Sequence, residues 1–180
     1  MTGPLAAGKG TIVDYLVAKK GFTHYSVRGF LIEEIKKRNL PIDRDSMREV
    51  ANNLRANFSP AYIVQQLYLQ AKQAGKGAII ESIRAVGELM ALKANQDFLL
   101  LAIDAEQKLR YERAMTRGSE SDHISFEKFQ EQERLEMSND DTTKQNIAKC
   151  MEMADFTVSN NGDLPALYQQ LDTFIEKFIF

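Results

Sequence analysis

Gly3-Pro4-Leu5-Ala6-Ala7-Gly8-Lys9-Gly10-Thr11 decides how the rest of the chain is read. Its spacing, Gly, four residues, Gly, Lys, is that of a loop whose backbone N–H groups surround a polyphosphate while the lysine ammonium neutralises it. One position departs from the standard pattern. The residue after the lysine, where a Ser or Thr hydroxyl would hold Mg²⁺, is Gly10, and the hydroxyl comes one later at Thr11. The bland alternative is a glycine-rich turn with Lys9 facing solvent. Gly, Gly, Lys and Thr in register directly before an amphipathic helix favour phosphate binding, because a helix N-terminus presents unpaired N–H groups and the positive end of its dipole.

That helix is read from Ile12, Val13, Leu16 and Val17, which recur on one face, with Gly21 as its stop after Lys19 and Lys20. His24-Tyr25-Ser26-Val27 reads as a short strand, followed by a helix to about Arg38. Ser46-Met47-Arg48-Glu49 has capping-box spacing and Ser59-Pro60 suits an N-cap, so helices are expected over 46–57 and 60–74. Ala78-Ile79-Ile80-Glu81 and Phe98 to Ile103 read as buried strands with a helix between them. Phe156-Thr157-Val158-Ser159 is a last strand, Asn161-Gly162 a turn, and Leu164, Leu167, Leu171, Phe174, Ile175 and Phe178 one face of a closing helix. Strands alternating with helices predict an α/β domain with a parallel sheet covered on both faces. The polar stretch Gly118 to Ser125 is the expected flexible segment. A phosphate loop follows a buried strand, yet only Met1 and Thr2 precede Gly3. Either the first strand is truncated and the start lies upstream, the favoured alternative, or the sheet lacks its middle strand, which would strand backbone groups in the core.

Composition limits what the chain can do. Its 180 residues suit one domain, 1–180, and 23 basic against 25 acidic residues leave no general attraction for nucleic acid or anionic lipid. The longest apolar run, Phe98 to Ile103, is too short to span a bilayer. A lone Cys150 excludes an internal disulfide framework, and with no basic-then-apolar leader the expected compartment is a reducing cytoplasm. Cys150 stands among Ile147, Met151 and Met153 as packing, and His24 and His123 match no zinc-ligand spacing.

The Gly-Lys-Gly-Thr ending resembles the adenylate kinase and dephospho-CoA kinase group of P-loop kinases more than motor or transporter ATPases, which carry Ser or Thr directly after the lysine. The resemblance runs along the whole chain at low density. It implies a three-layer P-loop kinase fold with acceptor-covering helices over about 29–75 and a small helical lid over about 117–137. Glu81-Ser82-Ile83-Arg84 resembles the strand end Asp-Gly-x-Arg of those kinases, so Glu81 would hold the waters of Mg²⁺ and Arg84 the acceptor's phosphate. A carboxylate and a guanidinium ending a buried parallel strand also stand where open α/β sheets bind ligands, although a structural ion pair is the alternative. Arg110, Arg113 and Arg117 share one helical face. By resemblance Arg113 and Arg117 would reach the transferring phosphoryl group with Arg134 after them, whereas a solvated stripe pairing with Glu106 and Glu112 is the alternative, favoured for Arg110. Ala154 to Leu164 resembles Ala-Asp-x-x-Ile-x-Asn-x-Gly of dephospho-CoA kinases, which puts Asn160 and Gly162 beside the adenine, with a mere turn between strand and helix as the equal alternative. One departure concerns the acceptor: Ser26-Val27-Arg28-Gly29-Phe30-Leu31-Ile32 keeps the Ser of Ser-Thr-Gly-Asp-x-x-Arg but has Ile32 at the arginine's place, with Arg28 a substitute or a surface residue.

These readings converge on a phosphotransferase. ATP would be cradled by Gly3, Ala7, Gly8, Lys9, Gly10 and Thr11, with Arg134, Asn160 and Gly162 around it, and Thr11 and Glu81 would serve Mg²⁺ through water. Lys9, Arg84, Arg113 and Arg117 would act on the phosphoryl group. The acceptor is expected to be a small molecule of the nucleoside monophosphate or dephospho-CoA class, with no nucleic-acid or membrane partner, and the chain a monomer or small homo-oligomer. The rival is a nucleotide-binding regulator or slow ATP hydrolase that keeps the loop without an acceptor site. A third, a truncated or decayed enzyme, predicts low stability and weak ATP binding.

Overall fold

The loop's setting is a parallel sheet whose middle is made by the first two residues. The computed structural model describes residues 1–117, 124–141 and 144–178. In chain order these form α1 (Lys9–Lys20), β1 (Thr23–Ser26), α2 (Val27–Lys37), α3 (Arg44–Asn57), α4 (Tyr62–Ala74), β2 (Ala78–Glu81) and α5 (Val86–Lys93). After them come β3 (Leu101–Asp104), α6 (Gln107–Arg117), α7 (Phe126–Met137), α8 (Ile147–Glu152), β4 (Phe156–Ser159) and α9 (Leu164–Phe178). β1 pairs in parallel with β2, and β3 with β4. Met1 and Thr2 join the two pairs. The Met1 nitrogen donates to Ile80 O at 2.7 Å, Ile83 N–H donates to Met1 O, and Thr2 exchanges both backbone bonds with Leu101 and Ile103. The alternative in which the sheet lacks its middle is therefore corrected: two residues hold that position, and the phosphate loop leaves the sheet where a strand-loop-helix unit requires.

Alternation along the strands divides the core. Ile79 packs with Ile12, Leu16, Leu171 and Phe174 from α1 and α9, while its neighbour Ile80 packs with Ile35, Val64, Leu67 and Leu89 from α2, α4 and α5. Both faces are covered, which makes the fold three-layered. Among the described residues no helix is long and apolar enough to cross a membrane.

Several boundaries shift for local reasons. Val27 opens α2 instead of ending β1, because the Ser26 hydroxyl accepts from Gly29 N–H and caps the helix. α3 starts earlier than expected since Asp43, not Ser46, is its cap and accepts from Ser46 N–H. Ser59-Pro60 forms a turn, and α4 begins at Tyr62. β3 begins at Leu101: the Leu100 N–H is taken by the Asp155 side chain at 2.6 Å, and Phe98 and Leu99 stay outside the ladder. Most of the expected flexible segment, 118–123, and with it His123, lies outside the described residues. So does that part of the expected lid, whose flanking helices are α6 and α7.

Candidate functional site

The phosphate loop is fixed by contacts that leave no room for side chains. Gly3 has φ 142°, and a Cβ there would fall on the carbonyl group of Ile103. Gly8, at φ 101°, is the N-cap of α1, and its Cβ would fall on the Asn160 side-chain nitrogen. Asn160 occupies that space to hold the loop, donating from Nδ2 to Ala7 O at 2.8 Å while itself only 6% exposed. Ala6 takes a left-handed conformation at φ 58°, unusual for a residue with a Cβ.

Lys9 folds back over this loop, its ammonium donating to Gly3 O and Pro4 O at 2.8 Å each. Burial, reinforced by the Arg84 charge and opposed by Glu81 and Glu136, lowers its pKa from 10.5 to about 8. Neither a side-chain cap nor an acidic first turn satisfies the N–H groups that open α1. Thr11 is half-buried one turn into the helix, and Gly10 is exposed, with nothing within 4 Å of a Cβ built on it. Among the described residues no side chain caps the N–H groups that open α1 beside the Lys9 ammonium, an arrangement suited to polyphosphate.

Around the loop stand carboxylates and arginines, most already paired. Glu81 ends β2 beside Lys9 and meets His24 Nε2 at 3.0 Å. Ser82 follows at φ 69°, in the position held by glycine in the Asp-Gly-x-Arg pattern. That turn carries Arg84 toward α7, where Nη1 lies 3.1 Å from Glu136 Oε2 and 3.4 Å from Gln145 Oε1. Arg110 corrects the expectation of a solvated stripe: it is 4% exposed and donates to Ala105 O, to Leu5 O of the loop and to both Glu133 oxygens. The reason is topological, since α6 packs its first turn against the loop and α7 returns over it with Glu133 inward. Arg113 donates from Nη2 to Asn160 O at 2.9 Å, and its buried Nη1 has no partner among the described residues. Arg117 is exposed at the end of α6, Arg134 on the outer side of α7, and Gly162 in the turn before α9. Asn161 Oδ1 accepts from Glu106 N–H, tying that turn to the start of α6.

Spacing alone did not single out His24, Asn160 as a strut, or the Glu133 and Glu136 pair. Only the last left a trace, as two acidic residues one turn apart on a helix expected to cover the loop. A cavity of about 520 Å³ lies at the opposite end of the sheet, lined by Phe22, Ala78, Ile80, Leu101 and Phe178, and holds none of these groups. Cys150 is buried, and burial pushes its thiol up to about 11, as packing requires.

Comparison with known proteins agrees with this geometry. Over 177 residues the chain is 29% identical to a protein of Archaeoglobus fulgidus named UPF0200/UPF0201, which covers 95% of this chain; the chain spans half the length of that relative. A Thermus thermophilus structure, TT1252, superposes with TM-score 0.65 at 17% identity over 99% of this chain and 96% of its own. Dephospho-CoA kinase from Campylobacter jejuni superposes with TM-score 0.59 at 17% identity over 98% and 94%. Both show the shared fold, a P-loop kinase architecture. The family model described as an AAA domain matches residues 2–130, from the middle of the sheet to within α7. The chain belongs to that AAA-domain family.

Proposed function

We propose that the protein moves the γ-phosphoryl group of ATP to a small nucleotide-like acceptor, a nucleoside monophosphate or a molecule of the dephospho-CoA class. The observation that carries this reading is the convergence of the Lys9 ammonium and the uncapped first turn of α1 on a loop locked between Ile103 and Asn160. Transfer through a loose, charge-spread transition state needs positioning and neutralisation more than covalent chemistry, and these groups supply both. In this reading Gly3, Ala7, Gly8, Gly10 and Thr11 form the cradle and Lys9 follows the charge onto the leaving phosphate. Arg84, Arg113 and Arg117 attend the transferring group and Asn160 and Gly162 border the nucleotide, while Arg134, exposed on the outer side of α7, would have to turn inward to join them.

The site suits Mg²⁺ as well. Thr11 and Glu81 are hard oxygen donors beside the loop, fit to hold the ion directly or through its waters. When bound, Mg²⁺ neutralises part of the phosphate charge. A nucleoside monophosphate attacks through an ionised phosphate oxygen and has no proton to lose, whereas a hydroxyl acceptor must release one, and Glu81, beside Lys9 and paired with His24, is the carboxylate at hand to take it.

A second reading has a specific observation behind it. Ile32, half-buried, stands where related kinases carry an acceptor arginine, and Arg84 is engaged by Glu136 and Gln145. Both features suit a nucleotide-binding regulator or slow ATP hydrolase. A panel of nucleoside monophosphates and CoA precursors, assayed for ADP release from MgATP, separates the two. A kinase releases ADP only with the right acceptor and loses that activity in Lys9→Ala. Release that ignores every acceptor supports the second reading.

A further inference from the structure

α7 grips the phosphate loop's surroundings through two carboxylates one turn apart, and the two grips differ. Glu133 holds Arg110 in a pair whose side chains are 5% and 12% exposed, and Arg110 also binds the loop carbonyl of Leu5. Glu136 holds Arg84 at 3.1 Å in a pair whose side chains are 32% and 35% exposed. The first contact is part of the loop's scaffold, since breaking it would leave a buried charge. The second is open to solvent and therefore exchangeable.

Its position gives that exchange a meaning. The residue before Arg84 donates its N–H to Met1 O, two residues ahead of Gly3, so the backbone that carries Arg84 is anchored at the base of the phosphate loop. Arg84 O accepts from Asn146 N–H at 2.9 Å, which holds its backbone independently of its side chain. A carboxylate and a phosphoryl group offer a guanidinium the same thing, oxygen acceptors bearing negative charge in matching geometry. The charge of Glu136 also reaches Lys9. Polyphosphate on the loop would meet Glu136 as a like charge and as a rival for Arg84.

We propose that Glu136 is an internal stand-in for phosphate: its carboxylate occupies Arg84 and is displaced when a polyphosphate chain binds the loop, so that ligand binding and this contact of α7 oppose each other. The proposal rests on the phosphate-binding reading of the loop. It makes α7 an electrostatic brake on affinity, released by the ligand itself, with the Glu133–Arg110 pair as the fixed point about which α7 loosens. A ligand can shift such an equilibrium only by its differential interaction with the two states, and here that difference is the charge of one carboxylate.

Titration calorimetry of the full chain with inorganic tripolyphosphate, and with MgATP, tests this. Glu136→Gln keeps the shape of the side chain and removes its charge. It is expected to bind tripolyphosphate about fivefold more tightly than the parent, the size of a part-exposed ion pair. In an Arg84→Gln background the same change should bring a clearly smaller gain, because the contested cation is gone and only the like-charge repulsion remains. Unchanged or weaker binding in Glu136→Gln overturns the proposal, as does a full gain that persists without Arg84. Melting curves verify that each variant is folded. The loop reading fails separately: if neither parent nor Glu136→Gln binds tripolyphosphate, or if Lys9→Ala binds it as well as the parent, that reading falls and the proposal with it.

Discussion

The loop and the arginine ring above it solve the same problem, presenting positive charge to an anion, in opposite ways. In the loop, the backbone itself is held: Gly3 lies against the Ile103 carbonyl, Gly8 against the Asn160 side chain, and the N–H groups opening α1 are fixed by the fold. In the ring, long side chains meet side chains, and Arg84 and Arg110 each have a carboxylate partner at hand. Rigid donors incur no reorganisation when an anion binds but tolerate no substitution. Paired arginines must give up a partner, which the part-exposed Arg84 can do and the buried Arg110 cannot without leaving a buried charge. The first is where binding geometry is stored, and the second is where binding can be tuned.

Gly3→Ala should break this contrast most severely. A methyl group at φ 142° against a backbone carbonyl cannot be relieved by a side-chain rotation, so the sheet or the loop must open. The expected loss exceeds about 3 kcal/mol, within the range in which a domain of this size yields little folded protein. A melting transition close to the parent's would mean the loop is softer than its contacts imply. Next in size is Lys9→Ala, which leaves the fold intact and should cost about a hundredfold in ATP affinity, measured by calorimetry, since it removes the one charge the loop itself supplies.

Acidity probes the same lysine more gently. With its pKa lowered to about 8, Lys9 begins to lose its proton above that pH. ATP affinity should therefore fall by up to about tenfold per pH unit from pH 8 upward, well before an ordinary lysine would respond. The stability of the unliganded protein should move the other way. The folded pKa lies below the unfolded value of 10.5, so the unfolded chain binds more protons between about pH 8 and 10.5 and folding is favoured as pH rises through that window. A flat affinity profile to pH 10 would show that the ammonium is less buried than its surroundings suggest.

What the sequence disclosed follows the same division. The loop was legible because its chemistry lies in nine consecutive residues whose spacing has one physical use, and the strands and helices because burial imposes periods of two and 3.6. α9 and β4 match the expected ranges for that reason. The ring was poorly legible because it depends on which distant side chains meet. Nothing in the spacing of Arg110 told that α7 would bury it with Glu133, 23 residues later. Nor could spacing tell that Met1 and Thr2 lie between the two strand pairs, since that depends on bonds to Ile80 and Leu101, some 80 and 100 positions away. Ser82 is instructive in another way. A residue with a side chain occupies a left-handed turn that the related pattern gives to glycine, a local cost seen only once the backbone is known.

Asn160 joins the two regions, and its variants rank below those above. Its Nδ2 donates to Ala7 O, and its carbonyl accepts from Arg113. Asn160→Ala removes the first bond and leaves a buried carbonyl without its donor, for an expected loss of about 1–2 kcal/mol in thermal unfolding. Asn160→Asp should cost more despite its matching shape, because it turns a carboxylate oxygen toward a carbonyl oxygen. If Asp were the better tolerated of the two, the amide would be oriented the other way and the strut would not exist.

The smallest effect belongs to Gly10, and its value lies in its sign. Gly3 and Gly8 are required by contacts on the protein side, whereas a Cβ at Gly10 meets nothing within 4 Å and the residue is exposed in the first turn of α1. Gly10→Ala should accordingly raise stability by about 0.5 kcal/mol, because alanine gives up less backbone freedom on entering a helix. On the protein alone, then, this glycine is a defect. It stops being one if phosphate passes over the start of α1, where the added methyl group would stand between the ligand and the N–H groups that hold it. The expected result is a higher melting temperature together with ATP affinity reduced severalfold. A rise in stability with affinity unchanged would put the polyphosphate elsewhere on the loop and leave Lys9, not the helix start, as the principal contact.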